Sequence, residues 1–121
     1  MRAVLVVDDE PLLVMTLGMA LDEAGFRVVE AHDGLHALEV LRTTKVDLVV
    51  TDYMMPRLSG LDLALAIKSD PATENLPVLL MSAVPGDVLE RHPGVFAGFF
   101  QKPYDIDRLL AVVAGLLGLG S

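Results

Sequence analysis

The stretch VDLVVTDYMMP, residues 46–56, decides how the chain folds. Val46, Leu48, Val49 and Val50 make four of the first six residues apolar, a pattern that suits a strand covered on both faces. The run then ends on Asp52, a charge that an apolar interior excludes unless it is paired. A core strand that carries a carboxylate to its end needs a partner there to hold that charge.

Outward from this strand, read as residues 47–51, four similar runs recur at residues 3–7, 27–31, 77–81 and 97–101. The run at 27–31 contains Arg27 and Glu30, which marks it as the edge of the sheet. Helical stretches separate the runs. Pro11 suits a first helical turn, and Leu13, Leu17, Ala20, Leu21 and Ala24 follow at helical spacing until Gly25. Asp33-Gly34 opens a second helix with Leu35, Leu38 and Leu41. Ser59-Gly60-Leu61-Asp62 approaches a capping box, with Leu61, Ala64 and Leu65 as the expected apolar face and Asp70-Pro71 as the stop. A fifth helix is expected over residues 105–117. In the fourth position, Pro85, Gly86, Pro93 and Gly94 leave only residues 87–92 free of breakers, barely two turns.

Five alternating β and α units predict an α/β fold of the flavodoxin-like, doubly wound (βα)5 kind with a parallel five-stranded sheet; of the two common open-sheet orders, 2-1-3-4-5 is the one favoured for five strands. In that order the first and third strands are neighbours, and a crevice opens at their carboxyl ends.

The composition narrows the function. With 121 residues, the chain is expected to form a single domain over residues 1–121 with no output domain. It is 53% hydrophobic but only 5% aromatic, so the core is mostly aliphatic. The absence of cysteine excludes disulfides and zinc-thiolate sites. A net charge of -8 disfavours direct contact with nucleic acid. Met1-Arg2 leads straight into a strand without a cleavage site, and the longest apolar run, residues 109–119, falls short of the roughly 20 residues of a membrane span. The expected location is cytoplasmic, away from any membrane.

The first strand runs into Asp8-Asp9-Glu10, and the third ends at Asp52. Adjacent strands would bring Asp8, Asp9 and Asp52 together. Two carboxylates about 4 Å apart repel by about 4 kcal/mol at an effective dielectric near 20. A hard divalent cation reverses that sign, and Mg²⁺ uses one or two carboxylates together with phosphate oxygens. Ser82 at the end of the fourth strand and Lys102 at the end of the fifth offer a hydroxyl and an ammonium on the same edge, suited to the oxygens of a phosphoryl group.

With VVDDE, TDYMMP, LPVLLMSA and FFQKPY in this order, the chain resembles the receiver domain of two-component response regulators, chemotaxis-regulator-like, from Ala3 to the end of the fifth helix. The resemblance implies a phosphorylation-dependent signalling switch rather than a turnover enzyme. Asp52 would be the phosphoacceptor, taking phosphate from a phosphohistidine of a sensor histidine kinase or a histidine phosphotransfer protein. Asp8 and Asp9 would hold Mg²⁺ together with Asp52 and the backbone carbonyl of Met54. Ser82 and Lys102 would bind the phosphoryl group, the bond before Pro103 would be cis, and Phe99 would be the switch aromatic. Output would pass through the face of helix 4, strand 5 and helix 5 to a downstream protein target, from a monomer or a phosphorylation-linked dimer. Met54 and Val84 fall where the family flanks the path of hydrolytic water, which implies slow self-dephosphorylation.

Two other readings have specific requirements. A Mg²⁺-dependent, aspartate-based phosphohydrolase wants a second acid two residues beyond its nucleophile, where this chain has Met54. A flavodoxin-like cofactor carrier needs a hydroxyl- or glycine-rich loop after the first strand, where DDE stands and repels phosphate. His32, His36 and His92 form no ligand set, and the six methionines read as core filler.

Overall fold

The computed structural model describes residues 1–83 and 87–118. In chain order the elements are β1 Ala3–Val7, α1 Pro11–Glu23, β2 Arg27–Ala31, α2 Gly34–Thr43, β3 Leu48–Asp52, α3 Gly60–Ser69, β4 Val78–Ser82, α4 Val88–Arg91, β5 Gly98–Gln101 and α5 Ile106–Leu116. All pairings are parallel, and the strand order is β2-β1-β3-β4-β5, as expected. Every residue of β1, β3 and β4 is buried, whereas β2 and β5 are partly exposed edges.

The pleat divides the core into two layers. Val4, Val6, Leu48, Val50, Leu79, Met81 and Phe100 face α1 and α5, meeting Leu17, Leu21, Leu109 and Val113. Ala3, Leu5, Val7, Val49 and Val78 face α2 and α3, meeting Ala37, Leu63, Ala64 and Ile67. Full burial of each Leu or Ile is worth about 1.5–3 kcal/mol, so these two seams fix which face each strand presents.

The methionines are not the core filler expected of them: Met1, Met15, Met19 and Met54 are exposed, and of the six only Met81 is buried. Three details of the elements also differ from the sequence reading. First, β3 and β4 each run one residue further, to Asp52 and Ser82. The ladder does not stop at a polar side chain: Tyr53 N–H still donates to the Met81 carbonyl at 2.8 Å, and Lys102 N–H to the Ser82 carbonyl at 2.7 Å. Second, α3 buries Leu63, Ala64 and Ile67, while Leu65 is exposed and Leu61 only half-buried. Both stripes have helical spacing, and the one that closes on β1 and β3 wins. Third, the seam of α1 runs through Val14, Leu17, Gly18 and Leu21 rather than Leu13 and Ala20.

The expected shortness of α4 holds: it is a single turn of 4 residues. Val84, Pro85 and Gly86 lie outside the described residues, as does the end of the apolar C-terminal run from Leu119 onward. Among the described residues, no helix is long and apolar enough to cross a membrane.

Candidate functional site

The two-residue period that sorts the core also builds the site. Val4 and Val6 point to one face and Asp8 continues their register; Leu48 and Val50 precede Asp52 in the same way, and Phe100 precedes Lys102. Three strand ends thus carry charged groups out of one apolar layer to one carboxyl edge.

There the carboxylates of Asp8, Asp9 and Asp52 each offer an oxygen, all within 4.8 Å of one another. Lys102 Nζ lies 3.1 Å from Asp8 Oδ2 and 3.0 Å from Asp52 Oδ1, with Glu10 Oε1 further off at 3.9 Å. Asp8 is 1% exposed and Asp52 6%, whereas Asp9 is open to solvent. Glu10 N–H donates to the other oxygen of Asp8 at 3.0 Å, so both Asp8 oxygens are oriented.

Burial pushes the carboxyl of Asp8 above the ordinary carboxylate range; the Glu10 N–H and Lys102 oppose this, and the charge of Asp52 adds to it. Burial likewise raises Asp52 against the pull of Lys102, with Asp9 adding repulsion. Burial works against the Lys102 ammonium, but its bonds to Asp52 and Asp8 prevail and hold its pKa above the usual lysine value. One ammonium among four acids leaves the edge negative. Hard oxygen donors, one of them open to solvent, are the set that suits a divalent cation of the magnesium type.

The other residues singled out in the sequence take their places around this centre. Ser82 is buried at the end of β4, the strand that pairs Met81 with Asp52. Met54 lies two residues beyond Asp52 and is 68% exposed. Phe99 is half-buried on β5 opposite Leu80, and the pleat turns it away from the face that buries Phe100. The Lys102–Pro103 peptide is cis. His32 and His36 stack with ring centroids 4.9 Å apart, and His36 Nδ1 accepts from the His32 N–H. They belong to the α2 terminus, not to the acidic centre.

Sequence reasoning missed the supports of the loop after Asp52. Gly60 N–H donates to the Tyr53 carbonyl at 2.7 Å, folding the start of α3 back onto β3. A Cβ at Gly60 would overlap the Asp52 carbonyl oxygen and come within 3.0 Å of Tyr53 Cα. Gly60 was legible as a helix start, but not as the point where two backbones touch. Arg57 pairs with Asp33, the residue that caps α2 through the His36 N–H. Nothing in the sequence joins these two.

Comparison with known proteins agrees with this fold. The sequence model of the family described as response regulator receiver domain matches residues 4–114. The chain is 38% identical over 117 residues to the response regulator MprA of Mycobacterium ulcerans, covering 94% of this chain and 49% of that protein. It is 29% identical over 120 residues to the DNA-binding dual master transcriptional regulator RpaA of Synechocystis, covering 97% and 49%. The chain thus spans about half the length of the curated relatives it matches. Among solved structures it resembles the response regulator TrrA of Thermotoga maritima, determined in complex with Mg²⁺-BeF, with a TM-score of 0.84, 29% identity and coverage of 96% and 99%. With its fold, its acidic edge and a family match over most of its length, the chain belongs to the response regulator receiver domains.

Proposed function

We propose that this domain is a phosphorylation-dependent signalling switch in which Asp52 accepts a phosphoryl group from a phosphohistidine of a sensor kinase or phosphotransfer protein. The observation that carries the reading is the position of Lys102 Nζ, 3.1 Å from Asp8 and 3.0 Å from Asp52, at the edge where three acids gather. A carboxylate oxygen of Asp52 attacks phosphorus. The phosphorus–nitrogen bond breaks, and the imidazole leaves with the bonding pair and takes up a proton. The Lys102 ammonium stabilises charge on the transferred oxygens, and the Ser82 hydroxyl donates to one of them.

Asp8, Asp9 and Asp52, with the Met54 carbonyl, are the groups proposed to hold Mg²⁺. Bound there, the ion supplies neutralisation of acid and phosphoryl charge. Asp52 must be ionised to attack, and burial alone works against that. Adding positive charge beside it restores the reactive form.

The proposed read-out is a rearrangement of Ser82 and Phe99 that alters the face of α4, β5 and α5 for a protein partner. Since α4 is one turn, β5 and α5 supply most of that face. Self-dephosphorylation is proposed to be slow, because the Met54 side chain offers no polar group to orient water. The phosphohydrolase reading is less well supported, since Met54 stands where that chemistry wants a second acid.

Incubation with acetyl phosphate, with Mg²⁺ or with a chelator, tests the reading by intact mass. One phosphoryl group is gained only with the metal, and hydroxylamine removes it. A protein that gains none in the presence of Mg²⁺ contradicts it.

A further inference from the structure

Arg57 is the one residue other than glycine with a positive φ among the described residues, at 70°. Leu58 N–H donates to the Pro56 carbonyl at 2.8 Å, so residues 56–58 close a three-residue γ-turn with Arg57 at its centre. A γ-turn with positive φ is rare and strained, and it persists only where its surroundings hold it. Here the surroundings are the start of α2. The Arg57 guanidinium pairs with Asp33 Oδ2, while Asp33 Oδ1 accepts from the His36 N–H at 2.8 Å. Beside it, a Cβ at Gly34 would lie 2.8 Å from Leu58 Cβ and 2.9 Å from the Leu58 carbonyl oxygen. The turn is therefore seated on α2 by an ion pair and by backbone-close packing.

The same turn ends the loop that leaves Asp52. Tyr53, Met54, Met55, Pro56 and Ser59 line, together with Asp9, one open cleft of about 550 Å³. Gly60 N–H ties the far end of the loop to the Tyr53 carbonyl. A shift at Arg57 would thus be felt within three residues at Met54.

We propose that Arg57 is a positioning residue: its pairing with Asp33 holds the strained turn, and through it the loop of residues 53–59, in the form that presents the Met54 carbonyl to a divalent cation. This inference rests on the proposed metal site. Asp33 is fitted to the task because one oxygen caps α2 and the other meets the guanidinium. Loop and helix terminus then move as one body.

The test is Mn²⁺ affinity, measured by the paramagnetic relaxation of water protons on the whole chain. Arg57→Gly removes the guanidinium and relieves the backbone strain, so a role confined to backbone conformation predicts unchanged or tighter binding. The ion-pair clamp predicts binding weakened by roughly tenfold, the lower end of what groups that orient metal ligands cost. Asp33→Asn, which keeps an acceptor for the His36 N–H, weakens it similarly. The double variant is no worse than either single, and Arg57→Lys recovers part of the loss. At saturating Mg²⁺ the rate of phosphorylation by acetyl phosphate returns to near wild type, which separates positioning from general damage. Wild-type binding with unchanged affinity in folded Arg57→Gly and Asp33→Asn overturns the clamp, as does full additivity in the double variant. Failure of the wild type itself to bind Mn²⁺ overturns the metal site and the clamp with it.

Discussion

The ammonium of Lys102 stands 3.1 Å from Asp8 Oδ2, a residue 94 positions earlier in the chain. The same ammonium reaches Asp52 Oδ1 at 3.0 Å. In this arrangement lysine answers the charge of two acids that a divalent cation would share. Lysine and such a cation would therefore repel one another across common ligands, as two like charges a few ångströms apart must.

Lys102→Met should then tighten Mg²⁺ binding severalfold while slowing phosphorylation by acetyl phosphate at saturating metal. Titration calorimetry reads the first effect and intact mass over time the second. Weaker Mg²⁺ binding in a folded variant would show that Lys102 assembles the acids instead of competing for them.

Gly60→Ala should destabilise the domain by about 1–3 kcal/mol, the usual cost of forcing atoms into a close contact. The new Cβ would meet the Asp52 carbonyl, so backbone must shift at the very residue that carries the site. Urea unfolding measures the loss. A change below about 0.5 kcal/mol, typical of surface substitutions, would mean that the approach is looser than the structure gives.

How much of this was legible in sequence follows from the kind of interaction involved. The alternation of strands and helices came from apolar runs, helix signals and strand-end charges, all local patterns, whereas the strand order, and with it the meeting of Asp8, Asp9 and Asp52, came from preferring one of two common orders for open five-stranded sheets. The wrong stripe on α3 shows the limit: Leu61, Ala64 and Leu65 fit a helical period as well as Leu63, Ala64 and Ile67 do, and only docking onto β1 and β3 selects the second set. The ends of β3 and β4 were read one residue short because a polar side chain says nothing about whether its backbone N–H and C=O stay in the ladder. The Arg57–Asp33 pair left no trace at all, because it joins two loops through a backbone conformation that arginine rarely adopts.

The acidic edge also sets a pH dependence with a definite sign. Burial raises Asp8 and Asp52 above their ordinary value of 3.8, so the folded state holds protons that the unfolded chain has released. Their contribution to stability falls as pH rises from 3.8 through their folded values, and is level above them. Asp33 acts in the opposite sense: its pKa is lowered, chiefly by Arg57, so its contribution is present above 3.8 and lost as pH falls through its folded value. Lys102, whose pKa is raised, contributes fully below 10.5 and loses that contribution only as pH climbs through its folded value. In metal-free protein, the stability of Asp52→Asn relative to wild type should therefore rise as pH climbs above 3.8 and level off once the folded-state Asp52 is ionised. Urea titrations of both proteins in chelator check this. A difference that is flat or reversed as pH climbs contradicts it.

Magnesium should reverse that penalty. At a hundredfold excess over its dissociation constant, a ligand confined to the folded state adds about 2.7 kcal/mol. Thermal unfolding of the wild type should shift upward with MgCl₂, and the shift should vanish in Asp8→Asn/Asp9→Asn. An equal shift in that variant would place the ion elsewhere.

The central claim concerns one side chain, and one measurement reaches it directly. After phosphorylation with acetyl phosphate and Mg²⁺, borohydride reduces an aspartyl phosphate to homoserine, and peptide mass mapping locates the change. The account predicts a single reduced position, residue 52, and none in Asp52→Asn. A phosphoryl group mapped to any other residue of the wild type, or no reducible acyl phosphate at all, would contradict it.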